Sequence, residues 1–359
     1  MNRQLSDFCF LPNNTIREVI ACINRSNCGI ALMIDSAGRL VATITDGDVR
    51  RAMLDGRDLD EIGEILLHYK GEEHQEPTTT HVSTTPAIML QLMQEHDVLQ
   101  LPLLDENGRV VDLVTRQELR PSGTLSLQAV IMAGGKGTRL RPLTEDMPKP
   151  MLPVGNRPIM EHIIEQMREA GIQNVNITTH YQPEKITDYF GDGRGFGVKL
   201  NYVAEDRPLG TAGALGLMEP IKEPLFVMNG DILTQVDIRA MLAFHREHNA
   251  DLTVGVRRYD FQIPYGVVES EGVFVKGLQE KPSMKFLVNA GIYLLEPSAI
   301  NSIPRNQHFD MTDLIDLLIA SDRPVVSFPI VEYWLDIGQH ADYEQAQEDI
   351  KAIYQEGKS

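Results

Sequence analysis

The feature that most constrains this chain is an apolar strand that runs straight into a glycine loop. Residues 129–133 read AVIMA, and GGKGTRLRPLT follows at once, with glycines at 134, 135 and 137. Open α/β sheets build their ligand sites this way, at the carboxyl ends of buried strands. The pattern downstream agrees. RPIMEHIIEQMREAG puts Ile159, Met160, Ile163, Ile164 and Met167 on one helical face, with Gly171 as its C-cap. NVNITT reads as strand and PEKITDYFGDG as a short helix. KLNYVAED, PLFVMNGD, DLTVGVRR and LVNAGIYLL are further strands. Alternating strands and helices predict an α/β domain with a mostly parallel, doubly wound, Rossmann-like sheet. YGVVESEGVFVKGLQEKP breaks the alternation and reads as a hairpin turning near Glu271-Gly272, so the sheet is expected to be mixed.

Two common phosphate loops fail on named residues. A Walker loop needs Gly-Lys-Ser/Thr at its end, but here Lys136 lies between glycines. A dinucleotide loop needs a third glycine where Leu140 stands. The physics still favours an anion. Gly134, Gly135 and Gly137 let backbone N–H groups converge without Cβ clashes. Arg139 offers bidentate contacts, and Lys149 is held on a stiff segment between Pro148 and Pro150. On the loop alone, a glycine turn with surface cations stays open beside phosphate binding.

The first third carries an internal repeat. ALMIDSAGRLVATITDGDVRR, from Ala31, matches LPLLDENGRVVDLVTRQELR, from Leu101, at a constant offset of 70 residues: Asp35 with Asp105, Gly38 with Gly108, Arg39 with Arg109, Thr45 with Thr115. Each copy reads helix, strand, D-x-x-G turn, strand, helix start. The expected boundaries are a repeat module over 1–120, a Pro/Ser/Gly-containing linker over 121–127 and the α/β domain over 128–359. Charge narrows the partners. With 33 Lys+Arg against 51 Asp+Glu the net charge is 33 − 51 = −18, which opposes non-specific binding to nucleic acid or anionic membrane. Any anionic substrate must be held by a few local cations. Cys9, Cys22 and Cys28 contain no CxxC pair and are odd in number, against a disulfide framework or zinc ribbon. No apolar run is long enough to span a membrane and the first twenty residues lack a signal-peptide pattern, so a cytoplasmic location is expected.

The repeat unit resembles the CBS domain, and the pair, over roughly residues 8–120, resembles a Bateman module. The resemblance implies an α+β fold and an adenine nucleotide whose ribose is held by a T/S-x-x-D motif, which Thr45 and Asp48 match. The second copy departs from it, with Thr115 and Glu118. A module that only packs or dimerises is the alternative, and a homo-oligomer through these modules is expected.

The glycine loop belongs to a longer ordered set: GGKGTRLRPLT…PKPM, PLGTAGAL (208–215), NGD (229–231), YGVV (265–268), EKP (280–282), NAGIY (289–293) and WLDIG (334–338). Together these resemble the sugar-1-phosphate nucleotidylyltransferases, over roughly 128–355. Taken singly, an aspartate at a strand end is a turn residue and Lys281 a surface lysine; the order of the set is what lends them roles. The resemblance implies the nucleotide-diphosphosugar transferase fold and the reaction NTP + sugar 1-phosphate → NDP-sugar + pyrophosphate. It implies Mg2+ on Asp231 and Asp336, Arg139 at the β,γ-phosphates and Lys149 at the α-phosphate. Backbone around Gly134, Gly135, Gly137 and Thr138, with Gly210, Thr211 and Gly213, would receive the nucleotide. Lys281 would hold the sugar phosphate, with Glu280, Asn289 and the Gly266 backbone at the sugar. PLGTAGAL and the fused CBS pair resemble guanylyltransferases of mannose 1-phosphate or glucosamine 1-phosphate in surface-polysaccharide and nonulosonic-acid synthesis, so GTP is expected. Thymidylyl or uridylyl transfer, or a non-catalytic nucleotide sensor, are the alternatives. No hexapeptide repeat follows the last motif, so a fused β-helix domain is not expected.

Overall fold

A computed structural model describes residues 4–26, 28–71, 76–96, 98–119 and 127–356. The chain forms two compact units, Met1–Gly123 and Thr124–Ser359. The expected linker lies outside the described residues except for Leu127.

In the first unit the two copies fold alike. Helix Ile16–Ser26 precedes the strand pair Ile30–Ile34 and Leu40–Thr45, and helix Pro86–Glu95 precedes Gln100–Leu104 and Val110–Thr115. Each hairpin is closed by its aspartate. Asp35 Oδ1 accepts from the N–H of Ala37 and Arg39, both at 2.9 Å, and Asp105 Oδ1 does the same for Asn107 and Arg109. Gly38 (φ +80°) and Gly108 (φ +74°) supply the left-handed residue that each turn requires. The two turns then pair with each other, Leu40 N–H to Gly108 O and Val110 N–H to Gly38 O. The repeat seen in sequence is thus a pseudo-symmetric pair joined turn to turn. The three cysteines are free, and burial pushes the Cys9 thiol up to about 12 and Cys22 to about 11.

The second unit is built on seven strands. Their spatial order is Lys199–Ala204, Asn174–Thr179, Gln128–Met132, Leu225–Asn229, Ser283–Leu295, Leu252–Gln262, Val325–Pro329. Only Ser283–Leu295 runs antiparallel to its neighbours, so the sheet is mixed as expected. Alternate residues of each strand serve opposite faces. Ala129, Ile131, Val175, Ile177, Phe226 and Met228 join one core with helices Ile159–Ala170 and Ile238–Glu247. Val130, Leu225, Val227, Tyr293 and Leu295 join the other, under helix Met311–Ala320. The five apolar residues expected on helix Ile159–Ala170 are the five it buries, and Gly171 (φ +92°) ends it. The hairpin pairs Val267–Glu271 with Phe274–Gln279 around Gly272. Sequence reasoning missed the edge strand Val325–Pro329 and the short pair Ile232–Thr234 with Trp334–Asp336.

No helix among the described residues is long and apolar enough to cross a membrane.

Candidate active site

The chain leaves strand Gln128–Met132 toward one edge of the sheet and later returns to its other side as Leu225–Asn229, parallel to it. A crevice opens where strand order reverses in this way, beyond the carboxyl ends of the two strands. The glycine loop leaves the first strand there and Asp231 follows the second. A cavity of about 370 Å3 fills the crevice, lined by Gly134, Gly135, Gly137, Thr138, Arg139, Lys149, Glu205, Gly210, Thr211, Asn229, Asp231 and Gly338 among others.

Glycines make this approach possible. A Cβ on Gly230 would lie 2.9 Å from Met132 O, so the two central strands could not close as they do. Gly137 (φ +60°) turns the loop against Lys149, and Gly210 (φ +82°) opens the short helix Gly210–Gly213. A Cβ on Gly210 would meet Asp310 Oδ1 at 2.6 Å and Phe309 O at 2.8 Å. Gly210→Ala should therefore cost about 2–4 kcal/mol, from left-handed strain plus overpacking against backbone. Gly135→Ala, whose Cβ meets nothing within 4 Å, should keep its denaturant midpoint. Equal midpoints for the two variants would contradict the strain argument.

Lys149 begins a one-turn 3-10 segment, is only 8% exposed, and donates to Asp231 Oδ2. Asp231 Oδ1 is buried with no hydrogen-bond partner. Asp336 arrives from far along the chain because Trp334–Asp336 pairs with Ile232–Thr234, which sets Asp336 opposite Ile232. Ile337 N–H also donates to Asp231 O at 3.0 Å, and Trp334 Nε1–H anchors that segment to Ala290 O at 2.9 Å. Although Asp336 as a whole is exposed, burial of its carboxyl and then the negative charge of Asp231 push its pKa up, while Lys149 and Arg139 pull it down. A Cβ on Gly338 would sit 3.8 Å from Asp336 Oδ1 and 3.9 Å from Arg139 Nη1, so both side chains converge on that glycine. Two carboxylates set against each other, one with a buried oxygen lacking a partner, fit a hard divalent cation. The described residues contain no cluster of three or more metal-ligating side chains. Such a cation would keep waters or phosphate oxygens as its other ligands, as Mg2+ commonly does.

Glu205 was not singled out from sequence. It follows the strand Lys199–Ala204, and Leu209 N–H donates to its Oε2 at 3.0 Å. Its Oε1 lies 2.7 Å from where a Cβ on Gly134 would be. Burial raises this carboxyl above its ordinary value. The one available signal was an acidic pair ending KLNYVAED just before PLGTAGAL. His180 Nδ1 pairs with Glu205 O at 2.9 Å, while His162, paired with Val154 O, is depressed by burial and belongs to the packing.

The remaining predicted residues divide. Thr211 lines the cavity, but its N–H goes to Asp310 Oδ1 and its hydroxyl accepts from Met311 N–H, so it braces the loop. Gly213 is buried and does not line the cavity, and a Cβ there would strike Gln307 O at 2.7 Å. Gly266, Glu280, Lys281 and Asn289 lie on a separate stretch that does not line the cavity. A Cβ on Gly266 would be 3.2 Å from Glu280 Oε2, Lys281 holds a left-handed backbone (φ +45°), and Asn289 Oδ1 caps Gly291 N–H at 2.9 Å. In the first unit Thr45 and Asp48 form a capping box at helix Asp46–Leu54. Asp48 is 3% exposed, with one oxygen on Thr45 and the other on Arg51.

A strand-ending glycine loop, two facing carboxylates and a buried lysine meet beyond the carboxyl ends of an α/β sheet, where such sheets take their ligands. The chain belongs to the nucleotidyl transferase family, whose model matches residues 128–353, and CBS domain models match 1–55 and 73–121. It is 33% identical over 236 residues to the mannose-1-phosphate guanylyltransferase of Mycobacterium tuberculosis, covering 63% of this chain and 65% of that protein. Against the UTP–glucose-1-phosphate uridylyltransferase of Synechocystis the figures are 34% over 245 residues, 61% and 62%. The chain thus spans less than two thirds of either relative. Among solved structures, HddC from Yersinia pseudotuberculosis superposes with a TM-score of 0.50 at 27% identity, over 62% of this chain and 99% of that one.

Proposed function

We propose that the chain transfers a guanylyl group from GTP to a sugar 1-phosphate, releasing pyrophosphate. One observation carries the reading: Lys149, Arg139 and two facing aspartates converge where the glycine loop leaves the sheet. A sugar-phosphate oxygen forms the new bond to the α-phosphorus as the bond to the leaving pyrophosphate breaks. The nucleophile is already anionic, so no serine or cysteine has to be activated. The work left to the protein is positioning and charge neutralisation. Arg139 would neutralise the leaving phosphates, and Lys149 the charge at the α-phosphate. Asp231 and Asp336 would hold Mg2+, which neutralises phosphate charge when bound. The stretch carrying Gly266, Glu280, Lys281 and Asn289 would receive the sugar phosphate. Adenine nucleotide binding at the CBS unit remains part of the proposal.

Glu205 supports guanine. Its free oxygen faces the cavity beside Gly134. A carboxylate accepts from the adjacent N1–H and N2–H groups of guanine, whereas uracil and thymine set a single N–H between two carbonyls that a carboxylate repels. The names of the guanylyl-transferring relatives point the same way. Pyrophosphate release measured for four NTPs against a panel of sugar 1-phosphates should give GTP the highest kcat/KM with every sugar that reacts. A pyrimidine triphosphate in first place would overturn the base assignment.

A further inference from the structure

Past the body of the sheet, Leu252–Gln262 and Ser283–Leu295 continue as a two-stranded ribbon, paired out to Gln262 with Ser283. The hairpin Val267–Glu271 with Phe274–Gln279 extends from its end, and no third strand joins that hairpin among the described residues. Eleven large apolar side chains between Tyr259 and Leu287 are exposed, including Tyr265, Phe274 at 70% and Val273 at 89%. A lone two-stranded hairpin is marginally stable in water and needs a further strand or an apolar partner surface. With about 150–250 Å2 per aromatic side chain, on the order of 1,000 Å2 of apolar surface stands open here. Cross-strand pairing sets Tyr259 beside Phe286 and Phe261 beside Met284 on one face of the ribbon, which by itself is on the scale of the ~300–600 Å2 largest patch of an ordinary monomer.

Charge selects the occupant. From Arg258 to Leu287 there are four basic and four acidic residues, 4 − 4 = 0, on a chain of net charge −18. Two copies meeting here escape the repulsion that the rest of their acidic surfaces would impose. A face that is apolar, mixed in sign and neutral can complement itself about a two-fold axis. We infer that the ribbon of residues 258–287 is the docking surface for a second copy of this chain. Gly266, Glu280 and Lys281 sit at the root of the hairpin, so the second copy would also steady that stretch; its relevance to the sugar phosphate rests on the function proposed above.

Equal amounts of isotopically heavy and light full-length chain, mixed and treated with an amine cross-linker, test the contact. Lys276 and Lys285 report from within the ribbon. Heavy–light peptide pairs joining 258–287 to 258–287 are expected, and they should fall at least tenfold in the double variant Val273→Glu, Phe274→Glu. Both side chains are exposed, so the variant should fold. Cross-links from these lysines confined to their own chain, or heavy–light pairs unchanged in the variant, would overturn the inference. The readout does not involve turnover, so an inactive protein that still gives heavy–light pairs sinks the proposed function and leaves the interface standing.

Discussion

Asp231→Asn should lower turnover about 10³-fold or more, near 4 kcal/mol of transition-state stabilisation, the scale of removing one preorganised charge or metal ligand. The substitution keeps the size of the side chain and its place after Gly230, so the backbone pairing of Ile232–Thr234 with Trp334–Asp336 should survive. What changes is charge. The amide would offer one neutral oxygen where Asp231 now offers an unpartnered buried one and a second held by Lys149. Lys149 would lose its charge partner in a nearly buried position, so thermal stability should fall as well. The Asp231 side chain is about a quarter exposed, which keeps that loss below the ~3–5 kcal/mol of breaking a fully buried pair. Steady-state rates across a Mg2+ titration, alongside a melting curve, separate the two effects. A near-wild-type rate at ordinary Mg2+ would remove Asp231 from the site.

Glu205→Gln should leave the fold in place and reduce the preference for GTP over UTP roughly 10²-fold in kcat/KM, about 2.7 kcal/mol. A glutamine whose oxygen keeps the Leu209 N–H turns its NH2 toward the base, where it meets the N–H groups of guanine donor to donor and gives pyrimidine carbonyls a hydrogen bond. Stability provides an independent check. Burial raises the Glu205 pKa, so the folded chain holds this proton more tightly than the unfolded one. The ionised carboxyl then costs stability above its folded pKa, and the cost fades as pH falls toward its unfolded value. Glu205→Gln should be at least as stable as the parent at neutral pH, with the advantage shrinking in acid. An unchanged GTP/UTP ratio would separate Glu205 from base recognition.

Much of this was legible in the sequence because local rules and tertiary structure agree. Helix Ile159–Ala170 buries the residues its period marks, and the seventy-residue repeat reappears as two like-folded halves paired at Gly38 and Gly108. The elements that were missed lack a local signal. Val325–Pro329 is five residues ending in proline, and it is a strand because Leu252–Val256 lies beside it. Asp231 and Asp336 stood in separate motifs, and the pairing of Ile232 with Asp336, continued by Ile337 N–H to Asp231 O, brings them face to face. Glu205 carries no local signal, since its partial burial depends on Gly134 and Leu209 closing around it. Gly213 is a glycine for a reason only the fold shows, since the Gln307 carbonyl occupies the space a side chain would need. The neutrality of 258–287 was present in the letters, but it has meaning only once that stretch is seen standing free.

The fate of the triphosphate tests the central claim most directly. With GTP labelled separately at the α- and γ-phosphorus and a sugar 1-phosphate acceptor, the account predicts that the α label passes into a nucleotide-sugar while the γ label leaves in pyrophosphate. Both should depend on the acceptor and vanish together in Asp231→Asn. Retention of both labels in unreacted nucleotide, with every NTP and sugar tried and with binding intact, would contradict it and leave a chain that senses nucleotides without turning them over.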